Sequence, residues 1–127
     1  MAKWKKVAPE EKHKLAGRLR AALARKKGVT EKSMFGGVCF LLRGNMLCGT
    51  GSGDFMFRVG KEGHEEAVAR RGARAMVMNG RRMAGFIWVD PGKCDARRLK
   101  SWIALAAAYV ADLPAKKASS LRRNRRD

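Results

Sequence analysis

Residues 34–59, MFGGVCFLLRGNMLCGTGSGDFMFRV, constrain the fold more than any other part of this chain. The run holds one acid, Asp54, and two cations, Arg43 and Arg58, in a protein that is 31% charged overall. Apolar residues broken at short intervals by glycine describe strands joined by tight turns. The stretch reads as a buried antiparallel sheet that the rest of the chain covers. Val38–Arg43 is a strand, Gly44–Asn45 fits a two-residue hairpin turn with glycine first, and Met46–Thr50 returns. Gly51, Ser52 and Gly53 make the next turn, and Asp54–Val59 is a further strand. Upstream, Thr30–Phe35 is a strand that Gly36–Gly37 bends or breaks.

A turn at Gly44–Asn45 fixes a register: Arg43 faces Met46, Leu42 faces Leu47, and Leu41 faces Cys48. One face then carries Cys39, Leu41, Met46 and Cys48; the other carries Val38, Phe40, Leu42 and Leu47. Both are apolar, whereas a sheet covered on one side alternates apolar and polar. Either helices cover both faces or a second subunit buries one, and a homodimer is expected. In this register Cys39 and Cys48 lie diagonally on one face, too far apart for an unstrained disulfide. Cys94 makes three cysteines, with no CxxC spacing. They read as apolar fillers in a reducing cytosol. The only histidines are His13 and His64, too few ligands for a zinc site, so no metal or cofactor is expected.

The flanks supply the covering layer. Residues 1–8 are a basic arm with Trp4 among lysines, able to stack on bases or simply to pack on the domain. Pro9 opens a helix that Gly28 stops, with Leu15, Ala16, Leu19, Ala22 and Leu23 on one face. Lys14, Arg18 and Arg25 share another face, which is either a solvated side or a stripe for a phosphate backbone. Glu62–Arg71 reads as a short helix with Ala67 and Val68 inward and Gly72 as its stop. Ala75–Met78 and Arg82–Val89 are strands joined at Asn79–Gly80, a strong hairpin signal that pairs Met76 with Met83. Asp90–Pro91–Gly92 is a turn, and Asp95 caps a last helix over 96–113. Leu99, Trp102, Ile103, Ala106, Tyr109, Val110 and Leu113 form its apolar stripe, and Pro114 ends it. Ala104, Ala107, Ala108 and Ala111 give it a smooth second side. Residues 115–127 read as a disordered basic tail after a domain spanning 9–114. The fold class is thus α+β in two layers: an antiparallel sheet of about five to six strands flanked by N-terminal, middle and C-terminal helices.

The net charge of +18 sits mostly at the ends. Residues 1–32 hold 11 basic and 3 acidic groups, net +8, and residues 116–127 hold 6 and 1, net +5. Residues 33–95, with 9 and 6, are net +3. A field of this sign and placement attracts polyanions, nucleic acid first. The candidate contacts are Lys14, Arg18, Arg25, Lys26 and Lys27 in and after the first helix. In the tail they are Lys116, Lys117, Arg122, Arg123, Arg125 and Arg126. No membrane contact is expected: there is no membrane-length apolar run and no apolar signal-peptide core, which predicts a cytoplasmic protein.

Catalytic patterns are not found. GTGSGD at 49–54 lacks the Gly-Lys-Ser/Thr ending of a phosphate loop and leads into a strand. His64, Glu65 and Glu66 could work as acid and base, yet acids are expected at a helix start for dipole reasons. Ser33 and Ser52 have no evident histidine partner. Asp54, Asp90 and Asp95 each have a turn or capping explanation. No catalytic residue is assigned, and the chain is not read as an enzyme.

With this order in place the sequence resembles the TfoX/Sxy family, N-terminal domain. The resemblance rests on Met34-Phe35-Gly36-Gly37, the Gly-Asn hairpin, Met46-Leu47-Cys48-Gly49 and Phe55-Met56-Phe57-Arg58-Val59-Gly60. It continues through Gly72-Ala73-Arg74, Met83-Ala84-Gly85-Phe86-Ile87-Trp88-Val89, Trp102 and Leu113-Pro114, spanning roughly residues 10–117. It implies a secretion-chaperone-like α+β domain from bacterial regulators of natural competence, which act with the cyclic-AMP receptor protein at certain promoters. Those regulators carry a C-terminal helical domain where this sequence has a basic tail, so the chain reads as a stand-alone member. The leading reading is a non-enzymatic regulator or adaptor touching DNA or RNA backbone, or a DNA-bound protein, through basic ends. The competing reading is a chaperone-like dimer that binds a protein partner without nucleic acid.

Overall fold

A computed structural model describes residues 9–34, 37–50 and 53–114. The elements run α1 (Pro9–Ala22), β1 (Val29–Met34), β2 (Gly37–Leu42), β3 (Asn45–Thr50), β4 (Phe55–Arg58) and α2 (His64–Val68). They continue with β5 (Ala73–Met78), β6 (Arg81–Val89), a 3-10 turn at Pro91–Lys93 and α3 (Ala96–Val110). The strands form one open antiparallel sheet in the order β1-β2-β3-β4-β6-β5. This is the α+β architecture the patterning predicts, with β1 and β5 at its edges. No helix among the described residues is long and apolar enough to cross a membrane.

One cluster gathers the core. Leu15, Leu19 and Leu23 from the α1 region meet Phe40, Leu42, Leu47, Cys48, Phe55 and Phe57 from the sheet. Ala67 of α2 and the α3 stripe Leu99, Trp102, Ile103, Ala106 and Val110 complete it. The Phe57 and Trp102 rings stack with centroids 5.5 Å apart. Because all three helices feed this cluster, they cover one face of the sheet. The alanine side of α3 is split: Ala107 is buried, while Ala104, Ala108 and Ala111 are exposed. Asp95 caps α3 by accepting from the Arg98 N–H at 2.9 Å, which holds its carboxyl below the usual range. The expected Asn79–Gly80 turn is present, both residues having positive φ (53° and 76°). The ladder shifts between Ala75 and Val77, so the expected Met76–Met83 pair falls in that irregular stretch.

The register of the β2–β3 hairpin differs from the sequence expectation. The turn is Arg43–Gly44, with φ of 50° and 85°, and Asn45 already belongs to β3. Two positive φ values match the right-handed twist of the flanking strands. Leu42 therefore faces Asn45, and Leu41 faces Met46. A shift between Phe40 and Leu41 then sets Phe40 opposite Cys48. The extra residue lets both Leu47 and Cys48 reach the core, each 0% exposed. Cys48 joins the core, whereas Cys39 alternates with Phe40 and lies on the other face, outside the core cluster. The expected diagonal on one face does not exist. All three cysteines are free and buried, and burial pushes each thiol up from its ordinary value.

The face away from the helices is also apolar. Met56 alternates with Phe55 and Phe57, and it is buried outside the core cluster. Leu41 and Met46 pair across that side and are half-buried. Of the two alternatives for a sheet with two apolar faces, helices on both is not the one adopted among the described residues.

Gly49 shows how closely β2 and β3 approach. A Cβ there would lie 2.7 Å from the Val38 carbonyl oxygen, a backbone atom that cannot swing away. We expect Gly49→Ala to lower the unfolding free energy by about 2 kcal/mol, as overpacking of a rigid site does. Gly80→Ala meets nothing within 4 Å at φ +76° and should cost about 1 kcal/mol, from backbone strain alone. Urea unfolding with unchanged slopes distinguishes the two.

Candidate functional site

The cations marked in the sequence do not form one stripe on α1. Arg18 turns away from solvent. Its Nη1 donates to the Pro91 carbonyl at 3.4 Å and its Nη2 to the Cys94 carbonyl, with the guanidinium 5.0 Å from the Phe55 ring centroid. It is a tie between α1 and the lead into α3. Arg20 donates to both carboxyl oxygens of Glu31, at 2.9 and 2.6 Å, so its charge is largely neutralised. That pairing holds the Glu31 carboxyl below its ordinary value and raises Arg20 above its own. Lys14 is exposed on α1, a little over two turns before the helix ends at Ala22 and away from the Arg25–Lys27 turn.

What the fold does assemble is a pole at one end of the sheet. Arg25, Lys26 and Lys27 are exposed in the turn after α1, and Gly28 (φ +82°) redirects the chain into β1. The Gly28 carbonyl accepts from the Arg43 N–H at 2.8 Å, which sets the exposed Arg43 of the β2–β3 turn beside that trio. Two residues further, Asn45 is 4% exposed, and its Nδ2 donates to the Pro114 carbonyl at 2.8 Å. The root of segment 115–127 is thereby fixed beside the same hairpin. Arg25, Lys26, Lys27, Arg43 and Pro114 share one end of the domain, and none of those four cations has an acid partner among the described residues. Lys116, Lys117, Arg122, Arg123, Arg125 and Arg126 lie outside the described residues, as do the 1–8 arm and Trp4.

Sequence reasoning misses Arg43 and Asn45, because it places the first at the end of a strand and the second in a turn. The signal in the sequence is Asn45 itself, a polar residue entering an otherwise apolar strand.

The pole is chemically simple. Exposed lysines and arginines on turns offer point charges and planar forks to phosphate oxygens, with no nucleophile–base pair beside them among the described residues. The acid–base candidates are placed otherwise. His64 is buried, and its Nδ1 accepts from the Gly85 N–H at 2.9 Å. Glu65 is exposed and paired with Arg82 at 3.2 Å. Asp54 is buried in an ion pair with Arg74 at 2.6 Å, not free at a turn. Among the described residues no group of three or more His, Cys, Asp or Glu is placed to hold a metal ion.

Removing the tether should be measurable. Asn45→Ala loses one partly buried hydrogen bond and leaves the Pro114 carbonyl unpaired, a loss of about 1 kcal/mol. Amide exchange should quicken at Leu113 and in the last turn of α3, while β4 and β6 stay protected. Exchange unchanged at Leu113 would show that Asn45 does not hold the chain there.

A protein-family model described as the TfoX N-terminal domain matches residues 21–109, from the last turn of α1 to the end of α3. No curated protein and no solved structure matches the chain.

Proposed function

Because the chain belongs to the TfoX N-terminal domain family and is a TfoX-like regulatory domain, we propose that it regulates by touching nucleic-acid backbone through the basic pole and segment 115–127. The observation that carries this reading is the 2.8 Å bond from Asn45 to the Pro114 carbonyl. It sets Pro114, the residue before segment 115–127, beside the hairpin that carries Arg43. Arg25, Lys26, Lys27 and Arg43 then act with Lys116, Lys117 and the four tail arginines as one phosphate-binding surface. Contacts of this kind position a protein on a strand and read no bases.

Binding to a duplex of arbitrary sequence should be salt-dependent. Engagement of six phosphates implies a loss of about a thousandfold between roughly 50 and 200 mM salt. Reversing Lys26, Lys27 and Arg43 to Glu, or removing residues 115–127, should each weaken binding and flatten the logarithmic salt slope by about 0.9 for every phosphate no longer engaged. Glu31→Gln, which frees Arg20 beside the pole, should tighten binding. Salt-insensitive binding, or equal slopes for all of these proteins, would sink the reading.

A second reading has its own observation, the apolar face away from the helices, where Cys39 and Met56 are buried and Leu41 and Met46 half-buried. On this reading the domain pairs with a second copy through that face. Sedimentation at high micromolar concentration should show a dimer that Leu41→Glu with Met46→Glu splits; a clean monomer of the unaltered chain would end it.

A further inference from the structure

A groove of about 710 Å³ opens between α3, the loop after β4 and the middle of β6. Its size falls within the roughly 300–1,000 Å³ of small-molecule sites. Val59, Leu105, Ala108, Phe86 and Tyr109 supply apolar walls, and Arg58 lines it among them. The Arg58 guanidinium lies 5.7 Å from the centroids of both the Phe86 and the Tyr109 rings. This half-buried cation has no carboxylate partner among the described residues, whereas Arg20, Arg74 and Arg82 each have one. Two rings fix the fork but leave its N–H donors unsatisfied by any acid, and such a fork is shaped for a carboxylate.

The groove is built, not left over. Gly60 has φ +87°, and a Cβ there would come within 2.5 Å of the Tyr109 ring, so the ring lies directly on the backbone. Gly85 has φ +89°, and a Cβ there would sit 3.1 Å from the Gly60 carbonyl carbon. The Gly85 carbonyl accepts from the Val59 and Gly60 N–H groups, and buried His64 accepts from its N–H. The wall carrying Arg58 and the wall carrying Phe86 are thus locked together. Lys61, Glu62 and Asp112 also line the groove and are exposed, so Arg58 is the one half-buried charge among its lining residues.

We infer that this groove binds a small organic acid, with its carboxylate on Arg58 and its apolar body against Phe86, Tyr109 and Leu105. This site shares no residue with the basic pole and does not depend on nucleic-acid binding. The test titrates the full chain with 3-phenylpropionate and, in parallel, with 3-phenylpropionamide, following backbone amide shifts. The acid should give saturable shifts at Gly60, Gly63, Gly85 and Tyr109, with the amide at least about tenfold weaker. Arg58→Gln should weaken the acid by about tenfold or more. Ala108→Phe, at an exposed helix position that lines the groove, should block it while the rest of the spectrum is unchanged. Equal response to acid and amide would overturn the inference. So would shifts confined to Arg25–Lys27 and Arg43, or a response that survives Ala108→Phe.

Discussion

The two-residue turn at Arg43–Gly44 is the constraint on which the sheet and the basic pole both depend. Holding a non-glycine residue at φ +50° costs about 1–2 kcal/mol. The register it sets recovers more than that. Leu47 is fully buried, worth about 1.5–3 kcal/mol over an exposed leucine, and Cys48 is buried beside it. The same register turns the Asn45 amide toward Pro114, closing the C-terminal end of α3 onto the sheet. A turn one residue later would put Asn45 at the hairpin tip and release that contact. Core packing and surface chemistry are thus decided by one pair of dihedral angles.

The positive charge divides by how each cation is held. Several arginines work inside the body, packed on rings: Arg18 on Phe55, Arg70 on Trp102, Arg74 on Trp88, and Arg58 on Phe86 and Tyr109. Arg74 also neutralises buried Asp54. A guanidinium is weakly hydrated and flat, so it tolerates these half-buried places better than an ammonium would. Lys14, Lys26 and Lys27 stay exposed, where a compact hydrated charge costs nothing to keep. The field open to a partner is therefore smaller than +18 suggests.

Much of the architecture was legible because local and tertiary signals agreed. Pro9 and Gly28 bracket the α1 region, Asp95 caps α3, Asn79–Gly80 turns β5 into β6, and the α3 stripe packs as its spacing implies. Where the sequence misled, a distant contact decided between two acceptable local choices. Gly44–Asn45 and Arg43–Gly44 are both plausible turns, and the Pro114 carbonyl selects between them from 69 residues away. Periodicity set Arg18 beside Lys14 and Arg25, but its partners lie 73 and 76 residues on, beyond what a helical wheel can show. The middle helix shrank to His64–Val68, with Gly63 before it giving no side-chain cap. Three of the four cations of the pole, Arg25, Lys26 and Lys27, are visible as a basic run; Arg43 is not, because only the turn geometry exposes it.

A pole of this kind limits what the domain can decide. Its cations stand on turns, not in a row along a helix or strand that could enter a groove and read base edges. Backbone contact alone raises association rates and residence on any nucleic acid, without choosing a sequence. A regulatory domain built this way adds affinity to a choice made by another component. The features with shape, namely the Arg58 groove and the apolar sheet face, share no residue with the basic pole. On the reading proposed above, the charge supplies affinity, and any selectivity of this chain's own falls to those shaped surfaces.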